Sequence, residues 1–428
     1  MRSRRNNLMR ILYLSQYFPP EAGATQTRAF EMARNFVRLG NAVTFLAEFP
    51  NHPSGIISPE YRGKLYERSS LEGIDVVRLW VKASPVKNFR NRMLFYLSYM
   101  LSAALAGLLL ARGRYDLVYA SSPPLFVGAS ALFLSCLRRI PLVFEVRDLW
   151  PESAVALGEL SNRRAIAWAS RLEQACYRRA RRIVCVTQGI LDRLSERGIP
   201  HHKLVLVPNG ANVEMFQFSP DARQQVRREL GLESKFIAVY AGIHGVAQGL
   251  ETVIAAARLL AQDPRFHFLL VGDGPKKAEL ADIARSYALP NLTLLPEQPR
   301  ERIIDVLSAA DVALIPLRNL EIFRSALPSK MFDAWACQRP VLLSVDGEAH
   351  RVMDQARGGL FVPPEDPQAL ADGLLRLSQS PAVCQEMGAN GRDFTVKEFS
   401  RKAQAEKLAG VLASILQNNG QEDDDQDH

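Results

Sequence analysis

A chain of 428 residues that is 47% hydrophobic and 23% charged is an ordinary globular protein with room for two cores, which excludes the disordered and fibrous classes. Five scattered cysteines (Cys136, Cys176, Cys185, Cys337, Cys384), odd in number and without a C-x-x-C pair, exclude a disulfide framework, make a zinc site a poor expectation and point to reduced thiols in the cytosol. The net charge of +8 is uneven, with 30 Lys+Arg against 15 Asp+Glu in residues 1–210 (+15) and 23 against 30 in the rest (−7), which predicts two domains, the first meeting something anionic.

The basic start, MRSRRNNLMRILYLS, holds an apolar run of only a strand's length and no small-residue cleavage site, so it is read as a strand rather than a signal peptide. From there, short β-branched runs alternate with helical stretches, the pattern of parallel α/β sheets. In the first half the spacing predicts strands at 10–15, 42–47, 75–80, 116–120, 141–146, 182–186 and 203–207. Helices are predicted between them at 25–39, 93–112, 124–138, 160–180 and 188–197. After a Pro-Asn-Gly break near 208–216, strands follow at 236–241, 267–271, 292–295, 312–315 and 340–344. Helices are predicted at 248–262, 275–287, 299–308, 329–337, 367–378, 381–396 and 401–417. The expected class is α/β, two doubly wound domains in series: 1–208 and 209–399, with the helix at 400–418 and a disordered acidic tail at 419–428.

Residues 93–111 carry no charge over 19 positions and are flanked by Lys87, Arg90, Arg92, Arg112 and Arg114. That length reaches the threshold for a membrane span. A span would place the strands on either side of it on opposite faces of a bilayer, although both should join one sheet. A helix lying in the membrane interface against anionic lipid satisfies both constraints, and a buried core helix is the competing reading.

Ligands of open α/β sheets bind beyond the carboxyl ends of the strands, so the loops there are the candidate sites. The first, SQYFPPEAGATQTR (15–28), places Gly23 between Ala22 and Ala24 ahead of a helix capped near Thr25, a close backbone approach for a phosphate. It is not G-x-G-x-x-G, which argues against a dinucleotide dehydrogenase. After PLVFEV comes RDLWPES: Arg147 for a bidentate anion contact, Asp148 and Glu152 as acid/base or sugar-hydroxyl groups, and Trp150 as a stacking face. An Arg147–Asp148 ion pair that orients the loop is the alternative.

In the second half, Gly242, Gly245 and Gly249 follow a strand and precede a helix, a backbone cradle without the P-loop lysine. Gly272 and Gly274 of VGDGP bring amides near a base or ribose. In FRSALPSKMFDAWA, Pro328 opens a helical turn whose free N–H groups, with Arg324 and Lys330, suit a diphosphate leaving group. Ser329 and Asp333, four apart, share one helix face, from which Asp333 could accept from ribose hydroxyls. No H-E-x-x-H, G-x-S-x-G or isolated acidic pair calls for a metal or a hydrolase, and no basic motif with interleaved aromatics calls for nucleic acid.

Taken together, PPEAG, VRDLWPES, VPNGAN-x-x-x-F, YAG-x-x-G-x-AQGLET, VGDGP and ALPSKMFDAWA resemble glycosyltransferase family 4, in its WbuB-like branch of bacterial surface-polysaccharide enzymes. The resemblance covers about residues 9–400 and rests chiefly on VRDLWPES and PSKMFDAWA. It implies a GT-B fold with two Rossmann-like domains, an interdomain cleft and a last helix returning to the first domain. It also implies retention of anomeric configuration without metal or other cofactor, the nucleotide sugar being a co-substrate. By the same resemblance Gly23 lies near the donor diphosphate, Arg324 and Lys330 bind it, Asp333 meets the ribose, and Asp148 sits by the transferred sugar or acceptor. Three departures stand out. The family's E-x7-E pattern falls on Ser325 and Asp333, the Arg and Lys usual after the first strand of the second domain are missing from GIHGVAQGL, and Arg147 and Asp148 occupy the neighbourhood of the usual His.

The resulting expectation is a cytoplasmic enzyme, peripheral to the inner membrane, that moves a sugar from a nucleoside diphosphate, UDP first among them, to a polyprenyl-diphosphate-linked glycan. A UDP-sugar epimerase of related fold and a non-catalytic membrane-docked scaffold remain as alternatives.

Overall fold

The computed structural model describes residues 8–424, without Ala22, Pro53, Lys87, Leu157 and Glu159 and without the side chains of Ala24 and residues 418–424. Its contacts divide the chain into two units, residues 1–208 with 402–428, and residues 209–401.

The first unit is built on an eight-stranded sheet. Its strands are β1 (Arg10–Leu14), β2 (Ala42–Glu48), β3 (Tyr66–Leu71), β4 (Ile74–Leu79), β5 (Leu117–Ser122), β6 (Leu142–Val146), β7 (Ala180–Cys185) and β8 (Leu204–Leu206). They lie in the order β3-β4-β2-β1-β5-β6-β7-β8. Every pairing is parallel except β3 with β4, a hairpin closed at Leu71↔Ile74. Sequence patterning misses β3 because YERSSL has no apolar face: it is an exposed edge strand, held by ladder hydrogen bonds rather than by burial. The parallel strands, covered by helices on both faces, are almost wholly buried, so they read as continuous apolar runs.

One layer beside this sheet joins Tyr99, Ala103 and Leu134 to Leu12, Leu14 and Phe144. The other packs Phe36, Leu408 and Leu412 on Tyr13, Phe45 and Tyr119. Its last contributors come from the final helix, Arg401–Asp424. That helix includes residues 419–424, where a disordered tail was expected; the remainder of that tail, 425–428, lies outside the described residues.

The apolar segment forms the helix Phe89–Leu109, started by Asn88, whose side chain accepts from the Asn91 N–H. It is long and apolar enough to cross a membrane. The strands on either side, β4 and β5, nevertheless belong to one sheet. Tyr99, Ala103, Ala106 and Gly107 form its buried stripe, and Leu94, Leu101, Leu105, Leu108 and Leu109 face outward. It packs on the helix Phe126–Arg138: a Cβ at Gly107 would overlap Leu134, Ser130 Oγ donates to Met100 O at 2.7 Å, and Arg138 donates to the Gly107 and Ala111 carbonyls. One of the flanking cations expected for this segment, Lys87, lies outside the described residues.

The second unit carries a six-stranded parallel sheet: β9 (Phe236–Ala241), β10 (Phe266–Val271), β11 (Leu292–Leu295), β12 (Val312–Pro316), β13 (Val341–Ser344) and β14 (Gly359–Phe361), in the order β11-β10-β9-β12-β13-β14. Three of its elements have no counterpart in the sequence expectation: β14 and the helices Pro220–Leu230 and Glu348–Ala356. The first of these helices has only a thin apolar stripe, with Val226 buried and Leu230 packed on the core, and docks largely through cations. Arg223 and Arg227 grip Asp311 at 2.5 and 2.6 Å and donate to the carbonyls of residues 308–310.

Candidate functional site

In the second unit, Gly242 directly follows β9. With φ of 151° it adopts a backbone conformation open to glycine, and a Cβ there would overlap Cε of Lys330. The lysine therefore lies across the start of the glycine loop. Lys330 belongs to the helix Ser329–Ala336, entered through Pro328. Its Nζ is 5.8 Å from the Tyr240 ring centre, and burial, opposed by the Asp333 carboxylate, lowers its pKa. Lys330 and Asp333 line a water-sized cavity of about 30 Å³ with apolar walls from β9 and β12. Gly242, Lys330 and Asp333 are thus brought together, and Ser329 opens the same helix.

Around them, Gly249 ends a short 3-10 turn (Val246–Gln248) and caps the helix Leu250–Leu259, with Gly245 at the turn's start against the Gln248 side chain. Gly272, after β10, approaches the Gly242 carbonyl so closely that a Cβ would overlap it, and Gly274 rests on the His244 backbone. The two glycine loops are therefore one packed layer at the carboxyl ends of β9 and β10. Arg324 is held elsewhere: on the 3-10 turn Glu321–Ser325 it is exposed and pairs with Asp346 at 3.4 Å and Glu321 at 3.9 Å. Reaching a ligand requires it to leave those carboxylates.

Three residues here escaped sequence reasoning. Arg318 follows β12, packs on Gly249 and pairs with Glu251 at 3.9 Å, which sets a cation at the start of the Leu250–Leu259 helix. His244 is fully buried, and among the described residues neither ring nitrogen has a hydrogen-bond partner; burial, with Lys277 nearby, pushes its pKa down to about 4. Arg401 lies 3.9 Å from Asp333. No signal in the sequence marks Arg401 or Arg318, whereas a lone His inside a glycine loop does stand out.

In the first unit the loop after β6 is a local scaffold. Asp148 accepts from Ser153 Oγ at 2.7 Å and so braces the short helix Glu152–Ala156, which replaces the loop expected there. Glu152 is paired with Arg193 at 2.8 Å and Arg197 at 3.2 Å. Trp150 packs on the apolar core beside Phe126 rather than offering an open stacking face. Burial, partly offset by the Glu145 carboxylate, lowers the Arg147 pKa to about 10. Gly23 is itself the N-cap of the helix Ala24–Arg38, two residues ahead of the expected cap at Thr25, and Ala22 lies outside the described residues.

The strongest polar centre of this unit is a cluster that the candidate residues only touch. Glu145 accepts from Arg28 Nε at 3.0 Å, Arg28 Nη2 at 2.8 Å, Tyr119 OH at 2.7 Å and Ser121 Oγ at 2.6 Å. Burial alone would raise its pKa; Arg28 and the other partners hold it below the usual carboxylate range. Arg28 also donates to the carbonyls of Val207 and Pro208 at 2.9 Å. A charge inside PLVFEV was the visible signal for this cluster. Beside it, Glu48 accepts from Gln16 at 2.6 Å and Asn51 at 2.9 Å, and Glu21 accepts from the Asn51 and His52 N–H groups at 2.7 Å. Burial, reinforced by Glu21, raises the Glu48 pKa well above the ordinary value. Among the described residues, no group of three His, Cys, Asp or Glu side chains is placed to hold a metal ion.

Comparison with known proteins fits this two-part geometry. Residues 23–210 match the model of the glycosyl transferase 4-like domain, and residues 222–394 match that of glycosyl transferases group 1. The putative colanic acid biosynthesis glycosyl transferase WcaI of Escherichia coli K12 is 24% identical over 377 residues, 86% of this chain and 91% of its own. Among solved structures, sucrose-phosphate synthase of Thermosynechococcus elongatus superposes with a TM-score of 0.75 at 21% identity over 96% of this chain and 100% of its own. Anabaena HepE, solved with UDP and glucose, gives 0.71 at 18% over 95% and 100%. These likenesses establish the two-domain GT-B fold. With both halves matched in order by the family models and the glycine loops laid out as described, the chain belongs to the family 4 type of glycosyltransferases.

Proposed function

We propose that the protein is a retaining glycosyltransferase that moves a sugar from a UDP-linked donor to a polyprenyl-diphosphate-linked glycan in surface-polysaccharide assembly. The observation that carries this reading is Lys330 laid across Gly242 with Asp333 one helical turn away. As the glycosidic bond breaks, negative charge develops on the leaving diphosphate. Lys330, with the N-termini of the Ser329–Ala336 and Leu250–Leu259 helices, supplies fixed positive charge where it appears. Asp333 accepts from the ribose hydroxyls, and Arg324 joins the diphosphate once freed from Asp346. The acceptor hydroxyl attacks the face that the diphosphate leaves, and its proton passes to a leaving phosphate oxygen. Configuration is then retained without a protein base. Two names lend support: HepE was solved with UDP, and WcaI is ascribed to colanic acid biosynthesis.

The acceptor places the enzyme at the cytoplasmic face of the inner membrane, bound peripherally. Leu101, Leu105 and Leu108 on the Phe89–Leu109 helix are 59%, 58% and 42% exposed, with Arg90, Arg112 and Arg114 exposed at its two ends. That combination suits an apolar face seated in acyl chains between cations on anionic head groups. The test is acceptor-dependent release of UDP from a panel of UDP-sugars in vesicles carrying polyprenyl-diphosphate glycan, with the product's anomeric configuration read by NMR. Isomerised donor without acceptor supports an epimerase instead. Failure to bind UDP or release it from any donor overturns the proposal, and unchanged polysaccharide output from Lys330→Ala and Arg324→Ala supports a scaffold.

A further inference from the structure

The chain enters the second unit at Asn209 and leaves it after Arg401, and these two passages run side by side. The Ala211 N–H donates to Phe399 O at 3.0 Å, the Arg401 N–H donates to Ala211 O at 3.1 Å, and Ala211 bridges Ser400 in parallel. Gly210 lies so close to the Phe399 carbonyl that a Cβ would overlap it. Arg401, only 8% exposed, fastens the pair from the side: its Nε donates to Gly210 O at 2.6 Å. The far end of the same guanidinium, Nη2, lies 3.9 Å from Asp333 Oδ1.

One side chain therefore hydrogen-bonds the paired crossing and stands at ion-pair distance from the carboxylate assigned to the ribose. A guanidinium is a rigid plane, so its two ends do not move independently. We infer that Arg401 is a positioning residue for the donor: it fixes the Asp333 carboxylate for the ribose hydroxyls and ties nucleotide binding to the paired crossing at residues 209–211 and 399–401. The inference rests on the nucleotide-sugar reading of the site. Ordering of Asp333 by ribose holds Arg401, and Arg401 holds Gly210, so a bound nucleotide firms the crossing. Loss of the guanidinium loosens both.

The experiment compares unaltered protein, Arg401→Gln, Arg401→Lys, Asp333→Asn and the Asp333→Asn/Arg401→Gln double variant. UDP affinity, donor KM and kcat are measured, together with hydrogen exchange at the Ala211 amide with and without UDP. The expected result is about a tenfold loss of UDP affinity and a matching rise in donor KM for Arg401→Gln, with kcat nearly unchanged. Arg401→Lys recovers most of the affinity, and Arg401→Gln adds little once Asp333→Asn is present. UDP slows exchange at Ala211 in unaltered protein and not in Arg401→Gln. Equal losses from Arg401→Gln with and without Asp333, or a fall in kcat at constant KM, overturn the inference. If Arg401→Gln does not fold, Arg401→Lys and the Asp333→Asn exchange profile decide: unchanged protection at Ala211 by UDP in Asp333→Asn overturns it. Unaltered protein that binds no UDP overturns the function reading itself, and is told apart because no variant is needed to see it.

Discussion

Gly242→Ala is the sharpest perturbation of the site, because the structure names what the new methyl group meets. Its Cβ overlaps Cε of Lys330, near the far end of a flexible side chain, while the backbone φ of 151° is one that L-residues rarely adopt. Backbone strain at such a position is roughly 1–3 kcal/mol. Driving the lysine off its rotamer adds about 0.5–1.5 kcal/mol. Gly242→Ala is therefore expected to destabilise the protein by about 1.5–4.5 kcal/mol. Lys330→Ala removes the clashing atoms, so the double variant recovers the rotamer share, a coupling of about 1 kcal/mol. Gly272→Ala gives the contrast: its Cβ overlaps the Gly242 carbonyl, which truncating Lys330 leaves in place, so that pair should be additive. Urea unfolding of all five variants measures the cycle, and UDP titration measures function alongside. Neither Gly242→Ala nor the double variant should bind UDP normally, because one displaces the cation and the other lacks it. Additivity of Gly242→Ala with Lys330→Ala to within about 0.3–0.5 kcal/mol would refute the placement of the lysine across the loop.

Other outcomes follow from the same contacts. Lys330→Ala should lower kcat about 10²–10³-fold, as loss of a donor to developing charge does, and a loss confined to KM would contradict that role. Arg28→Met leaves Glu145 buried without its cation and should destabilise by about 3–5 kcal/mol, whereas pairing it with Glu145→Gln restores much of this; equal effects in the two would argue against the pair. Glu48 has a raised pKa in the fold, so the native state holds a proton that the unfolded chain releases above its ordinary value of 4.5. Stability should then fall as pH rises from 4.5 towards the folded pKa, and Glu48→Gln should flatten that slope in denaturation series from pH 5 to 8. Leu101→Gln, Leu105→Gln and Leu108→Gln together should release the protein from anionic vesicles in flotation while the melting temperature barely moves. A collapse in stability would assign the helix to the core instead.

Much of the fold was legible because parallel strands buried on both faces announce themselves as apolar runs. The missing elements do not share one cause: the Glu348–Ala356 helix buries Ala349, Met353 and Ala356 on an apolar face, whereas the others lack a long apolar run. β3 is an exposed edge, the Pro220–Leu230 helix docks through arginines on Asp311, and β14 is three residues long. At the site, local spacing placed Lys330 and Asp333 on one turn, and the glycine loops followed from strand ends. What spacing cannot show is which partner claims a charge over long separations. Arg324 goes to Asp346, Glu152 to Arg193 and Arg197, and Asp333 meets Arg401 from 68 residues further on.

That limit also corrects the meaning of the charge split. A net +15 over residues 1–210 invites a picture of a uniformly basic surface, yet several of those cations are spent inside. Arg28 is 4% exposed on Glu145 and Arg78 is 6% exposed beneath the first loop, donating to the Pro19 carbonyl, while burial, partly offset by Glu145, lowers the Arg147 pKa. Arg138 and Arg179 spend theirs on carbonyls at helix ends. Of the cations that remain outward, Arg90, Arg112 and Arg114 stand at the ends of the apolar helix and Arg163 and Arg164 at the start of Arg163–Arg179, while others, among them Arg62, Lys64, Arg139, Arg171 and Arg181, stand elsewhere. Attraction to an anionic surface falls off within about 8 Å at physiological ionic strength, so only such outward groups act on it. What favours the proposed lipid-facing first unit is therefore the placement of Arg90, Arg112 and Arg114 at the ends of a helix with exposed leucines, whereas a count of charges would be the same if every one of them were buried.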